Sequence, residues 1–434
     1  MTNPMSMPRR RFLTLAGGGA AVALFGAGCG GEEAADDTFD VWVLQDENVN
    51  PVSQASLDRH NASAGTKGVL RPEVNTGYRD KVHISVGTNQ RPDVFFNWGG
   101  GSIRTYAREG LLEDLTPHLD ADPAFKGAFL PSVLDAGKID GKFYGIPMRT
   151  MQPVHMFYNT KVFGEVGVEI PQTWTQFLDV CERLKSAGVT PVALAGAQSW
   201  TELMWIEYLV ERIGGAQVFA DIAAGTPGAW QNPAVTRAVD TITSLVDSGV
   251  FGTNFPAVEW EGGAVQQVFS SGQAAMHLMG SWEYTTQLGS APEFARNDLA
   301  WGPFPVIEDG AGAPDAVVGN PTNYFSVTKD SAHKDAAIAY LKAEMASEAY
   351  VDGLISIGDV PAVTDITDRL ASAENPDFAT FVYDLVAKAP SFQLSWDQAV
   401  ERELAGPMLD ALSQVFLGEL DAAGFVKANE DAAA

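Results

Sequence analysis

Tryptophan is the residue whose placement suggests chemistry in this chain. Ten are present, and five sit among glycine and small polar residues. Trp98 precedes Gly99-Gly100-Gly101, and Trp200 follows Gln198-Ser199. Trp260 lies between Glu259 and Glu261, Trp282 follows Gly280-Ser281, and Trp396 lies between Ser395 and Asp397. An indole face packs against the C–H face of a sugar ring, while nearby Asn, Asp, Gln and Arg bond its hydroxyls. Apolar walls with a few placed polar groups are what a small-ligand cleft requires. Loop residues on a rigid scaffold are disproportionately functional. Trp98, Trp282 and Trp396 are therefore read as ligand contacts in preference to packing. Trp200 and Trp260 suit either role and are kept as candidates. Trp174, Trp205, Trp230 and Trp301 read as packing, and Trp42 suits either.

Catalytic patterns are thin. There is no Gly-x-Ser-x-Gly elbow and no Gly-x-x-x-x-Gly-Lys phosphate loop, and Gly99-Gly100-Gly101 lacks the spacing of a dinucleotide site. Glu259 and Glu261 flank Trp260, but neighbours on an extended segment alternate in direction, so both carboxylates point away from the indole and read as surface residues. The six histidines are scattered without a His or Cys partner at ligand spacing, so no metal site is expected. No cofactor and no catalytic residue is assigned.

The elements that must hold these residues alternate between strand and helix patterns. Phe39–Leu44 alternates like a first strand, His83–Val86 reads as another, and Pro92–Phe96 reads as a buried strand running into the loop that carries Asn97 and Trp98. Ligands sit at the carboxyl ends of strands in open α/β sheets. Residues 171–188 form a helix with Thr173 and Gln176 as a capping box, Gly188 as its stop, and the stripe Trp174, Phe177, Leu178, Cys181, Leu184. Cys181 is thus a buried free thiol. Residues 233–248 form a helix capped by Asn232 with Pro233 at its first position. Further helices are expected at 331–348 and 398–417. Repeated βα units followed mainly by helices predict two α/β lobes, each a sheet flanked by helices, with the chain crossing between them.

Lys and Arg number 28 against 55 Asp and Glu, a net charge of −27. Such a surface repels phosphate backbones, so nucleic acid is not expected as a partner. The N-terminus carries an address. Arg9-Arg10-Arg11-Phe12-Leu13 and a short Gly-rich apolar run to Ala27 read as an export leader resembling the twin-arginine type. Gly26-Ala27-Gly28-Cys29 resembles a lipobox, with Cys29 as the lipidated residue, although Gly26 stands where leucine is usual. The expected divisions are 1–29 export signal, 30–37 flexible tether, 38–149 lobe 1, 150–317 lobe 2, 318–350 return to lobe 1, and 351–434 C-terminal helices near the hinge and lobe 2. Removing the leader takes three arginines and no acids, leaving 25 basic against 55 acidic residues, or −30.

Several blocks, in order along nearly the whole mature chain, resemble a known family. They are Arg91–Gly101; Gly141–Pro147 with Met156–Asn159; Pro171–Phe177; Phe269–Met276 leading to Gly280-Ser281-Trp282; and Gly358–Ala362. The chain resembles the extracellular solute-binding proteins of bacterial sugar ABC importers, the family of maltose-binding protein. The resemblance implies a two-lobed periplasmic-binding-protein fold that clamps a neutral mono- or short oligosaccharide and delivers it to a membrane permease. It implies stacking roles for Trp98, Trp282 and Trp396, with Trp200 added from the second lobe. It further implies polar contacts from Asn97, Arg149, Asn323 and Asp397, with Gln45 and Asp46 well placed after the first strand. A monomer held by lipid at the outer face of the cell membrane is expected. Two rivals remain. A secreted carbohydrate hydrolase or lyase would need two carboxylates flanking the bond to be cleaved. A receptor for a non-sugar solute would suit the acidic balance but not the aromatic loops.

Overall fold

The computed structural model describes residues 37–433. The leader, Cys29 and most of the expected tether lie outside the described residues. Thirteen strands occur among the described residues: β1 Thr38–Leu44, β2 Lys67–Glu73, β3 Val94–Asn97, β4 Lys138–Ile139, β5 Lys142–Phe143, β6 Ile146–Pro147, β7 Gln152–Asn159, β8 Thr190–Ala193, β9 Ala274–Gly280, β10 Leu299–Gly302, β11 Val317–Asn320, β12 Tyr324–Val327 and β13 Phe392–Leu394.

They form two main sheets, one in each lobe. The first runs β2-β1-β3-β12-β6, and the second β13-β11-β7-β9-β8 with β10 also on β7. β1 lies parallel to β2 and β3, whereas β12 runs antiparallel to β3 with Tyr324 opposite Asn97. Every residue of β3, β7 and β9 is buried, as expected of strands covered by helices on both faces.

Local signals act where they are strongest. The helix Trp174–Ser186 starts with a complete capping box: the Gln176 amide donates to Thr173 Oγ1 at 3.3 Å, and the Thr173 amide donates to Gln176 Oε1 at 3.2 Å. Its buried face is Phe177, Val180, Cys181 and Leu184. Leu178, expected on that stripe, is 40% exposed. Asn232 caps Pro233–Asp247 by accepting from the Ala234 amide at 2.9 Å. The helices expected at 331–348 and 398–417 span Lys334–Glu344 and Arg402–Phe416.

One element is corrected. Residues 83–86 are not a strand but the end of the helix Tyr78–Val86, which buries Tyr78, Val82, Ser85 and Val86 and leaves Ile84 exposed. Four alternating residues fit either period, and the buried spacing here is helical.

The chain passes between the sheets at 148–151 and 321–323, and again after the helix Glu348–Ser356. These segments are laced together. Thr322 Oγ1 donates to the carbonyls of Arg149 and Thr150, at 3.0 and 3.1 Å. Thr150 Oγ1 donates to the Val360 carbonyl at 3.0 Å and accepts from the Val360 amide at 2.8 Å. Gln152 Nε2 donates to Asn323 Oδ1 at 2.9 Å.

Candidate functional site

The first half of the site grows from the end of β3. Asn97 is buried; its Nδ2 donates to Ser326 Oγ at 2.9 Å and its Oδ1 accepts from the Gly99 amide at 2.9 Å. These bonds turn the chain so that Trp98 leaves the strand half-buried. The glycines that follow are needed for close approach. A Cβ on Gly101 would lie 2.0 Å from the Val400 carbonyl oxygen, and one on Gly100 would lie 2.9 Å from that of Gln398. The loop is therefore built to receive the segment 398–400.

Around Trp98 stand Phe96, edge-on at 4.9 Å, and Tyr78, edge-on at 6.0 Å. The Arg79 guanidinium covers the Trp98 ring at 4.6 Å and pairs with Asp397 at 3.1 Å. A guanidinium over an indole is attracted by the ring's negative face. Together with Tyr106, Val400 and neighbours, these residues line a mainly apolar cavity containing about 500 Å³ of empty space, part of it open to solvent. It lies between elements of the first sheet's lobe and the segment that follows β13.

The second half is an indole cluster. Trp200 meets Trp260 edge-on at 5.4 Å and Trp282 at 6.4 Å; all three are half-buried. Trp200 lies in the first turn of the helix Ser199–Gly214, and Trp282 opens the helix Trp282–Ser290 directly after β9. The Trp260 amide donates to Gln198 Oε1 at 2.8 Å, tying the two loops. Beneath them, fully buried His277 and Glu283 are 3.2 Å apart, and Gln287 donates to the same Glu283 oxygen at 2.8 Å. Thr76 Oγ1 donates to Glu261 Oε1 at 2.8 Å, which joins the loop carrying Trp260 to the loop leading into Tyr78. Glu259 and Glu261 are both exposed.

Other expected contacts are placed differently. Trp396 is corrected to a core residue. It is 0% exposed, stacked parallel on Phe219 at 4.7 Å and edge-on to Trp230 at 5.9 Å. A fully packed indole has no free face to offer a ligand; its neighbour Asp397 faces the cavity instead. Arg149 bonds Asp46 at 2.9 Å and Asp359 at 3.1 Å. Burial raises the Asp46 carboxyl, but Arg149 and the amides of Val49 and Asn48 outweigh it and hold it below the usual carboxylate range. Burial dominates at Asp359, which stays raised despite Arg149. Asn323 is 2% exposed and committed to Gln152. Asp46 and Arg149 are thus tied into an ion-pair group with Asp359, and Asn323 Oδ1 is bonded to Gln152, at or beside the crossings. Gln45 is exposed just after β1.

Sequence reasoning missed Tyr78, Arg79 and Tyr106. The signal available was the helical spacing of Tyr78, Val82 and Val86, which sets Arg79 beside a buried aromatic. Among the described residues no three His, Cys, Asp or Glu side chains gather in a metal-binding group, and no helix is long and apolar enough to cross a membrane.

Two sheet-and-helix lobes, three laced crossings and an aromatic cavity are the architecture of a two-lobed solute-binding protein. The profile of the family described as bacterial extracellular solute-binding protein matches residues 72–350, and the chain belongs to that family. Among its relatives, the xylose/arabinose-binding protein XacG of Haloferax volcanii is 24% identical over 79% of this chain and 71% of its own length. A probable sugar-binding periplasmic protein of Mesorhizobium japonicum is 24% identical over 62% of each chain. An extracellular-binding protein of an ABC transporter of Pyrococcus horikoshii is matched over 54% of its length, so these similarities span about half to seven-tenths of the relatives. In fold, the chain is similar to a protein from the study of xylan utilization by the thermophilic bacterium Caldanaerobius polysaccharolyticus. The TM-score is 0.82 at 24% identity, covering 91% of this chain and 99% of that one. A chitin oligosaccharide binding protein gives 0.82 at 22%, covering 91% and 98%.

Proposed function

We propose that this protein is the capture component of a sugar ABC importer: it binds a neutral mono- or short oligosaccharide between its lobes and delivers it to a membrane permease. The observation that carries this reading is the pair of indole sites, Trp98 under Arg79 and the Trp200–Trp260–Trp282 cluster, with the Thr76–Glu261 bond joining the loop before the Arg79 helix to the loop of Trp260. The names of the sugar-binding relatives support it. A ligand touching both lobes stabilises the closed arrangement in proportion to its preference for that arrangement. Indole faces supply apolar area, and Arg79, Asp397 and Gln45 are groups able to bond hydroxyls.

The lobe division we propose follows the sheets: 38–147 with 324–356 on one side, and 152–320 with 376–433 on the other. This moves the expected boundary at 317 past β11. We also propose a monomer, exported by its leader and anchored through Cys29 at the outer face of the cell membrane. The protein binds its sugar without cleaving it.

A thermal-shift screen over mono-, di- and trisaccharides tests the reading, since a ligand at 100 times its dissociation constant adds about 2.7 kcal/mol. Stabilisation by one sugar series, with the sugar recovered intact, is expected. No shift with any neutral saccharide, or shortened products, overturns it.

A further inference from the structure

We propose that Ser395–Glu401 is a strap between the lobes and that Glu207 is the residue that positions it. Glu207 is 0% exposed on the helix Ser199–Gly214 of the second lobe. Its Oε1 accepts from Ser395 Oγ at 2.8 Å and from the Trp396 amide at 2.7 Å, while its Oε2 has no partner among the described residues. The stacked indole of Trp396 on Phe219 completes this anchor.

The rest of the segment is gripped from the first lobe. Asp397 pairs with Arg79 at 3.1 Å. Arg104 bonds the Ala399 carbonyl at 3.3 Å and Glu401 at 2.9 Å, and Arg108 lies 3.7 Å from Glu401. Gly100 and Gly101 admit the backbone of 398–400 at a distance no Cβ would allow. Three arginines in a chain with few cations thus converge on seven residues.

A buried carboxyl is costly, and an apolar side chain of similar size would fill the same space. What Glu207 adds is a fixed register. Two hydrogen bonds at residues 395 and 396 fix where Asp397 points, and hence where Arg79 lies over Trp98. Burial, only partly offset by the bonds from Trp396 and Ser395, pushes the Glu207 carboxyl up to about 8. Glutamine is therefore its close mimic near neutrality and keeps the accepting oxygen.

The test has a ligand-free arm and a sugar arm, and only the sugar arm rests on the function proposed above. In the ligand-free protein, small-angle X-ray scattering reads lobe separation for wild type, Glu207→Leu, Arg79→Ala and the double variant. Glu207→Leu is expected to increase the radius of gyration, Arg79→Ala to do the same, and the double variant to add little, because coupled residues are not additive. Glu207→Gln restores the wild-type value. In the sugar arm, Glu207→Leu raises the dissociation constant about tenfold, a difference of about 1.4 kcal/mol, and Glu207→Gln restores it. Should Glu207→Leu fail to fold, Ser395→Ala carries the same comparison. An unchanged radius of gyration, or effects of Glu207 and Arg79 that simply add, overturns the strap. A coupled change in radius of gyration with no sugar bound by wild type supports the strap and overturns the sugar reading alone.

Discussion

A Cβ placed on Gly280 would lie 1.9 Å from the ring of Trp282. The last residue of β9 therefore has no side chain because the indole two positions later folds back across it. Gly280→Ala is expected to displace that ring from the Trp200–Trp260 cluster. Sugar affinity should fall by about 1–3 kcal/mol, the range for losing a buried aromatic anchor. Calorimetry with the sugar that best stabilises the wild type checks this, with near-ultraviolet circular dichroism reporting the indole's move. Wild-type affinity in a variant with a changed aromatic spectrum would remove Trp282 from the binding surface.

Trp98 and Trp396 should separate cleanly. Trp98 is half-buried beside a cavity, so Trp98→Ala is expected to cost about 1–3 kcal/mol of binding and little stability. Trp396 is packed on Phe219, so Trp396→Ala is expected to cost about 3–5 kcal/mol of stability through the void it leaves. Urea unfolding and calorimetry on the same two variants read both quantities. A Trp396→Ala protein of normal stability would contradict its place in the core.

Arg149 stands between two carboxylates at the crossings, Asp46 and Asp359. Arg149→Ala leaves both acids without their cation, and breaking a buried pair in this way costs about 3–5 kcal/mol. Asp359→Asn in the Arg149→Ala background should recover part of the loss, because Asp359 is the acid that burial already raises. Denaturant titration of the single and double variants decides it; a double variant no more stable than Arg149→Ala alone would refute the assignment.

Glu202 predicts a pH dependence with a definite sign. It is 1% exposed, and burial raises its carboxyl from 4.5 to about 8, with a partial offset from Ser413. Between those values the folded chain keeps a proton that the unfolded chain has lost. The contribution from this group is complete below pH 4.5 and is lost as pH rises toward 8. Glu202→Gln should flatten the fall in stability between pH 5 and 8, measured by urea titration at each pH. A slope unchanged by the substitution would show that Glu202 ionises normally.

Local signals were the readable part of this sequence. Thr173 with Gln176, and Asn232 with Pro233, act on residues within four positions, and both helices begin where those residues place them. Pro92–Phe96 marked the strand that delivers Trp98. What escaped depends on distant partners. Arg149 meets Asp359 across 210 residues, and Gln152 meets Asn323 across 171, so nothing nearby distinguishes a hinge residue from a ligand contact. Trp200, Trp282 and Trp396 look alike in sequence, each preceded by a serine or within one residue of one. In the structure all three sit in first helical turns, and distant partners, Phe219 and Trp230, receive Trp396 in the core. Arg79 is hidden in the sequence because the helix that carries it, Tyr78–Val86, ends in four residues whose alternation also suits a strand.

The lacing of the three crossings has a mechanical result. Two bodies joined by one flexible connection can twist, slide and swing. Three connections bonded side to side through Thr150, Thr322 and Val360 are expected to resist the twist and the slide and to leave the swing. Shutting such a jaw freezes one coordinate instead of several, so little of a ligand's binding free energy is spent on ordering the protein. A small, neutral ligand would then be enough to hold the jaw shut.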